Sequence, residues 1–237
     1  MATTNFKDYA IVIHHCDNDG YLSGTLLRLY ANSQGIPDSN IVYFCYNNIN
    51  INELERFIDD MIVQSVLTGE ALILAGNISI APETSKVFKR IFSLSSNVFW
   101  FDHHETSLEL ENEDVFFKNI PGVRSSEYCS SKLIWNKFHD DIIEGFKSRN
   151  LFSAFTDKVI NLVDSLVRNP NNNTTEERNF LAGTVIDTRS TNPADYFWID
   201  CIYFDDAFEE AIHNGLIANT YIDNLPLMTI KGLIANP

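Results

Sequence analysis

Two clusters of imidazole and carboxylate carry the chemistry open to this chain. Asp102, His103 and His104 follow the apolar run Asn97-Val98-Phe99-Trp100-Phe101, and His14, His15, Asp17 and Asp19 follow the apolar run that ends at Ile13. Four of the six histidines fall in these two pairs, each beside acids, which packing alone does not explain. In His15-Cys16-Asp17-Asn18-Asp19-Gly20, three potential ligands, His15, Asp17 and Asp19, fall at alternate positions. Alternate side chains of an extended segment point the same way, so these three can converge. Imidazole mixed with carboxylate suits Mn²⁺ or Fe²⁺ better than an all-oxygen Ca²⁺ cage, with Mg²⁺ the harder alternative. The plainer account of the same residues is a strand-end loop whose Asp and Asn cap the next helix. An EF-hand is disfavoured, because the downstream Glu pattern is missing.

The elements that must position these clusters alternate strand with helix. Tyr9 to Ile13 reads as a buried strand, and His14 to Gly20 as a polar loop. A helix then starts near Gly20, with Leu22, Leu26, Leu27 and Tyr30 on one face. Ile41 to Cys45, Ala71 to Leu74 and Val98 to Phe101 are further strands. Leu54, Phe57, Ile58, Met61 and Ile62 form the stripe of a second helix, and Pro82 and Glu83 suit the first turn of a third, which reaches about Ser93. This pattern predicts an α/β fold, a parallel sheet with helices on both faces. Ligands of such sheets bind beyond the carboxyl ends of the strands, so loops distant in sequence share one edge.

After Pro121-Gly122 the pattern becomes mostly helical. Ser126 reads as an N-cap, and Cys129, Leu133, Ile134 and Phe138 as a helix face. Further helices are expected over about 151–166 and 176–186, separated by the loop Asn169 to Thr175, with an aromatic, acidic stretch from Ala194 on. The expected division is 1–125, an α/β metal-binding core, and 126–237, a mostly helical segment that completes the site. Trp100 and Phe99 are expected in the core, His139 and His213 at the surface, and Arg124, Arg168 and Arg189 in solvent.

Composition narrows the partners. The 237 residues carry 32 acidic against 17 basic side chains, a formal net charge of -15. That charge opposes attraction to a long phosphate backbone, so long duplex nucleic acid is excluded as the expected partner. Bound divalent cations would still let a small anionic substrate approach. Cys16, Cys45, Cys129 and Cys201 form no Cys-x-x-Cys pair, so neither a zinc clip nor a disulfide framework is expected, and a reduced, cytoplasmic setting fits. The N-terminus lacks a signal-peptide layout, and no apolar run approaches the ~20 residues of a membrane span.

The order of the motifs, His15-Cys16-Asp17-Asn18-Asp19-Gly20 and later a strand with Asp102-His103-His104, resembles the DHH phosphoesterase superfamily over roughly the first 190 residues. The resemblance implies two divalent metal ions, usually Mn²⁺ with Mg²⁺ as the alternative, and hydrolysis of phosphoesters or phosphoanhydrides. His15 and Asp17 would hold one ion, and Asp19 and His103 the other. Asp102 would be a ligand or an orienting group, and His104 would face the scissile phosphate. Two cations about 3.5–4 Å apart lower the pKa of a bridging water and neutralise charge on the attacking and leaving oxygens.

Two features depart from the family pattern. The bridging Asp expected after the third strand is replaced by Asn77, and an amide carries no charge to hold two dications together. The Gly-Gly-Gly-His type motif of the usual second domain is absent, so that substrate platform is missing, truncated or replaced by the aromatic stretch 196–208. For the last acidic ligand, Asp164 comes at the expected place in the order of helices, whereas Asp187 sits in a more similar local sequence. Both remain open.

The expected function is two-metal hydrolysis of phosphodiester bonds in short oligonucleotides or small, including cyclic, nucleotides. The alternative is a catalytically impaired protein of the same fold that sequesters nucleotides or serves as a scaffold. No membrane partner is expected, and homo-oligomer formation is left open.

Overall fold

A computed structural model describes residues 9–46, 51–64, 66, 69–147, 160–161, 163–165 and 167–169. Strand β1 (Ala10–His15) leads into α1 (Asn18–Ser33), and a short 3-10 turn (Asp38–Asn40) leads into β2 (Ile41–Tyr46). There follow α2 (Ile51–Val63), β3 (Leu72–Gly76), α3 (Ser85–Phe92), β4 (Asn97–Asp102), α4 (Glu105–Glu113), α5 (Val115–Lys118), β5 (Gly122–Arg124) and α6 (Ser130–Lys147). All pairings are parallel and the strand order is β2-β1-β3-β4-β5. The chain therefore leaves β1 toward one edge and returns to continue on its other side. Between β1 and β3 the connections diverge, and the carboxyl ends of strands at such a point are where ligands of parallel sheets bind.

Alternation along the strands sorts the core into two layers. Ala10, Val12, Leu72, Leu74 and Phe101 point to one face, where they meet Leu22, Leu26 and Leu27 of α1 and Leu133, Ile134 and Phe138 of α6. Ile11, Ile13, Ile73, Ala75 and Trp100 point to the other, against Leu54 and Ile58 of α2, Phe88 and Phe92 of α3 and Phe117 of α5. Helices thus cover both faces, and the expected α/β architecture is present, with five parallel strands among the described residues. Trp100 is fully buried, as expected. Among the described residues no helix is long and apolar enough to cross a membrane.

Several boundaries differ from the sequence reading. His14 and His15 belong to β1 rather than to the loop, since they continue the ladder opposite Cys45 and Tyr46. Helix α1 starts at Asn18, because Asp17 caps it by accepting a hydrogen bond from the Gly20 N–H at 2.8 Å. Ser126 is not an N-cap but part of a turn, and α6 begins at Ser130. The segment after Pro121 opens not as helix but as β5, which pairs Trp100 to Asp102 with Gly122 to Arg124. Gly122 allows this: its φ is 128°, and a Cβ there would lie 2.0 Å from the Trp100 carbonyl oxygen. Ile160, Asn161, Val163, Asp164, Ser165, Val167 and Arg168 are helical. The expected helix over 176–186 and the aromatic stretch from Ala194 lie outside the described residues.

Gly20 is the tightest point between β1 and α1. A Cβ there would fall 2.1 Å from the His15 carbonyl oxygen, closer than any real contact. Gly20→Ala is therefore expected to push the end of β1 off the first turn of α1, at a cost of about 3 kcal/mol. Denaturant unfolding checks this, and a variant as stable as the parent would show that the two backbones are not so closely apposed.

Candidate functional site

The carboxyl ends of β1, β3 and β4 bring both sequence clusters to one edge of the sheet. Backbone bonds hold the loops there: the Asn77 N–H donates to the Phe101 carbonyl at 3.0 Å, and the Ser125 N–H to the Asp102 carbonyl at 3.1 Å. The Ser79 and Thr106 hydroxyls meet at 2.5 Å, which links the loop after β3 to α4.

Asp17 is the outer carboxylate. Its Oδ1 accepts from the Gly20 N–H and, at 2.8 Å, from the Asn77 side-chain amide. Its Oδ2 lies 2.9 Å from His15 Nδ1. Burial pushes the Asp17 carboxyl up, but His15, the Gly20 N–H and His104 outweigh it and leave the group below the ordinary carboxylate range.

Asp19 is the inner carboxylate and is only 2% exposed. Its Oδ2 accepts from the Ser130 N–H at 2.9 Å and its Oδ1 from the Ser131 N–H at 2.8 Å. Here lies the reason Ser126 does not cap α6: the free N–H groups of that helix start are satisfied by an acid more than a hundred residues away. Burial pushes the Asp19 carboxyl above its ordinary value, against the pull of Ser131, and the Asp17 charge adds to the push.

Asn77 joins the two acids. It is buried and has φ 58°, a left-handed conformation that Asn tolerates better than most side chains. Its amide donates to Asp17, and its carbonyl accepts from the Ser130 hydroxyl at 3.2 Å. An uninterrupted path therefore runs from His15 through Asp17, Asn77 and Ser130 to Asp19.

The β4 motif completes the edge. His103 Nε2 stands 3.7 Å from Asp19 Oδ2, and the His103 and His104 rings lie 4.3 Å apart. His104 Nδ1 is 2.9 Å from Asp102 Oδ1. That hydrogen bond raises the His104 pKa above the usual imidazole value against the opposing effect of burial, and the charges of Asp102, Asp17 and Asp19 act in the same direction. The His104 side chain is 41% exposed, so a ligand can reach it. Asp102 is fully buried, and its Oδ2 has no hydrogen-bond partner among the described residues.

The donors suit a hard or borderline cation. Separations of 2.9 Å between His15 and Asp17 and 3.7 Å between His103 and Asp19 both lie within the span of two coordination bonds of about 2.1 Å. The orphaned Asp102 oxygen adds a further buried anionic donor. Yet among the described residues no group of three or more His, Cys, Asp or Glu side chains is gathered tightly enough to hold a metal. His15, Asp17, Asp19 and His103 share one edge as paired donors, with Asp17 and Asp19 occupied in capping helices.

Asp164 does not touch these four side chains directly. Its Oδ1 accepts from the Cys129 N–H at 2.8 Å and its Oδ2 lies 3.7 Å from Arg168, one residue away from the Ser130 N–H that binds Asp19. Asp187 lies outside the described residues. Ser130 and Ser131 were missed by sequence reasoning, because serines at a helix start carry no sign of a partner so remote. Arg124 is not solvated as expected: its side chain is 4% exposed, paired with Glu111 at 2.6 Å and placed over the Trp100 ring. The cysteines also correct the sequence reading, since Cys16 and Cys45 form a disulfide between the loop after β1 and the end of β2.

No protein-family model matches the chain. No curated protein matches it either. Among solved structures, it is similar to the crystal structure of an uncharacterized protein from Helicobacter pylori G27, with a TM-score of 0.51 at 15% identity. The match covers 73% of this chain and 47% of that one, so this chain spans about half the length of the structure it resembles. At that identity the likeness shows a shared fold.

Proposed function

We propose that the chain is a metal-dependent phosphodiesterase of the DHH type, acting on short oligonucleotides or small nucleotides at the carboxyl ends of β1, β3 and β4. The observation that carries this reading is the meeting of His15, Asp17, Asp19 and His103 at the edge where parallel sheets bind ligands. His15 and Asp17 would hold one divalent ion, and Asp19 and His103 a second, probed with Mn²⁺ and then Mg²⁺. Such ions supply an activated water and neutralise charge on the phosphate. Asp102 orients His104, and its bond favours the protonated imidazole, the form that would donate toward a phosphate oxygen. Asp164 fixes the start of α6 and through it the N–H groups that hold Asp19, whereas Asp187 remains the alternative last ligand.

The Asn77 to Asp17 hydrogen bond favours a second reading. A neutral amide occupies the position where the family pattern has a bridging carboxylate, which suits a protein that binds nucleotides and hydrolyses them slowly or not at all. Turnover of dinucleotides, cyclic nucleotides and pyrophosphate with Mn²⁺ or with chelator separates the two. Mn²⁺-dependent cleavage of a diester supports the enzyme; nucleotide binding without product supports the binder.

Substrate attraction should come from one or two close ions, because the net charge of -15 leaves little diffuse positive surface. Binding of a short oligonucleotide is therefore expected to vanish in chelator and to fall only weakly with salt. Steep salt dependence that persists in chelator would point to an ordinary nucleic-acid binder.

A further inference from the structure

We infer that Arg168, held over the Tyr128 ring beside the candidate site, grips a second phosphate of the substrate, one that is not being cleaved. This role rests on the proposed action on short oligonucleotides, and it makes the site favour those with a phosphorylated end.

The placement of Arg168 follows from how the chain enters α6. The segment from Ser125 to Cys129 leaves the carboxyl end of β5, and the Ser125 N–H ties it to the Asp102 carbonyl at 3.1 Å. Ser130, two residues after Tyr128, bonds both Asp19 and Asn77. Tyr128 therefore stands between two points at which this segment is fastened to the edge that carries the His-Asp clusters. Against it lies the helical stretch with Asn161, Asp164 and Arg168, whose spacing of three and four puts them on one side. Asn161 accepts from the Lys132 ammonium at 2.6 Å and Asp164 from the Cys129 N–H at 2.8 Å, while the Arg168 guanidinium lies 5.7 Å from the Tyr128 ring centre. The two stretches thus pass each other in opposite directions, and Arg168 meets the entering segment on its Ser125 side.

The guanidinium is not consumed by the protein. Asp164 Oδ2 is 3.7 Å from it, longer than the about 2.7–2.9 Å of a charge-assisted hydrogen bond, and Asp164 Oδ1 is committed to Cys129. The Arg168 side chain is 41% exposed. The ring contact steadies the guanidinium while its fork of N–H donors stays open, and that fork matches two oxygens of a phosphate. The neighbouring basic groups are taken: Arg124 by Glu111 and the Trp100 carbonyl, and Lys132 by Asn161. A net charge of -15 repels anions at long range, so selection among them has to come from contacts of this short reach. The opposing charges beside Arg168 are Asp164 and Glu127, the acid bonded to the Tyr128 hydroxyl. They hold the gain from a second phosphate to roughly tenfold, the low end for a hydrogen bond to a charged group.

Calorimetry on the full chain with Mn²⁺ tests this, using phosphorothioate-linked dinucleotides that resist cleavage. One has only its linking phosphate, and two others carry a further phosphate at the 5′ or the 3′ end. The expected result is that one end-phosphorylated form binds roughly tenfold more tightly than the plain form. That ratio should fall to near one in Arg168→Ala and below one in Arg168→Glu. Each ratio compares two ligands on the same variant, so a merely structural role of Arg168 would lower both affinities together and leave the ratio at its parent value. Equal binding of all three dinucleotides by the parent, or a preference that survives in Arg168→Ala, overturns the role of Arg168 and leaves the proposed function standing. Failure of the parent to bind any of the three overturns both.

Discussion

Asn77→Asp is expected to destabilise the metal-free protein and to tighten its hold on a second divalent ion. The amide nitrogen that now donates to Asp17 Oδ1 at 2.8 Å would become a carboxylate oxygen facing a carboxylate, in a position only 1% exposed. Burying that repulsion costs about 2–4 kcal/mol without a cation. A cation between the two acids reverses the sign, because the attraction then acts at short range at a buried position. The left-handed backbone is no obstacle, since Asp adopts it nearly as readily as Asn. Thermal melts should show the variant below the parent in chelator, with the gap closed or inverted in Mn²⁺. Calorimetry should show the second ion bound roughly 100-fold more tightly, and diester turnover should rise. Equal melts in chelator and equal metal stoichiometry would mean that residue 77 does not bridge the ions.

Asp19→Asn should separate the cost of the site from its use. The Asp19 carboxylate is buried, repelled by Asp17 and held by two N–H donors of α6. An amide keeps one acceptor oxygen and turns an NH₂ toward the other N–H, which loses one hydrogen bond to a charged group, about 1.5–3 kcal/mol. It also removes the cost of a desolvated charge beside Asp17, which offsets most of that loss. Metal-free stability is thus expected to stay within about 1 kcal/mol of the parent, while Mn²⁺ affinity falls at least 100-fold. Asp19→Ala leaves both N–H groups without their acceptor and should cost about 2–4 kcal/mol by urea unfolding. A large stability loss in the Asn variant with unchanged Mn²⁺ affinity would make Asp19 purely a helix cap.

The parts of this molecule legible in the sequence are those written in local pattern. Ile11, Ile13, Leu72, Leu74 and Trp100 announce buried parallel strands because both faces of such a sheet are covered, and both His-Asp clusters follow strand ends. Strand order is not local, so the point between β1 and β3 where the connections diverge could be located only once the sheet was assembled. β5 escaped notice because Gly122, Val123 and Arg124 are too few to show alternation, and Gly122 reads as a break. The cap of α6 by Asp19 was hidden for a different reason: the donors at Ser130 and Ser131 are backbone groups, which every sequence possesses. The Cys16–Cys45 bond depends on the same β1–β2 register, which places Cys45 opposite His14, and cysteine spacing alone carries no trace of it.

The most direct test of the proposed metal site is anomalous scattering from crystals grown with Mn²⁺. A strong Mn peak within about 2.0–2.3 Å of donor atoms on Asp17 or Asp19, joined by His15 or His103, is the predicted result, with a weaker second peak beside Asn77. Crystals saturated with Mn²⁺ that show no peak at the carboxyl ends of β1, β3 and β4, or a peak only at surface carboxylates, would contradict it.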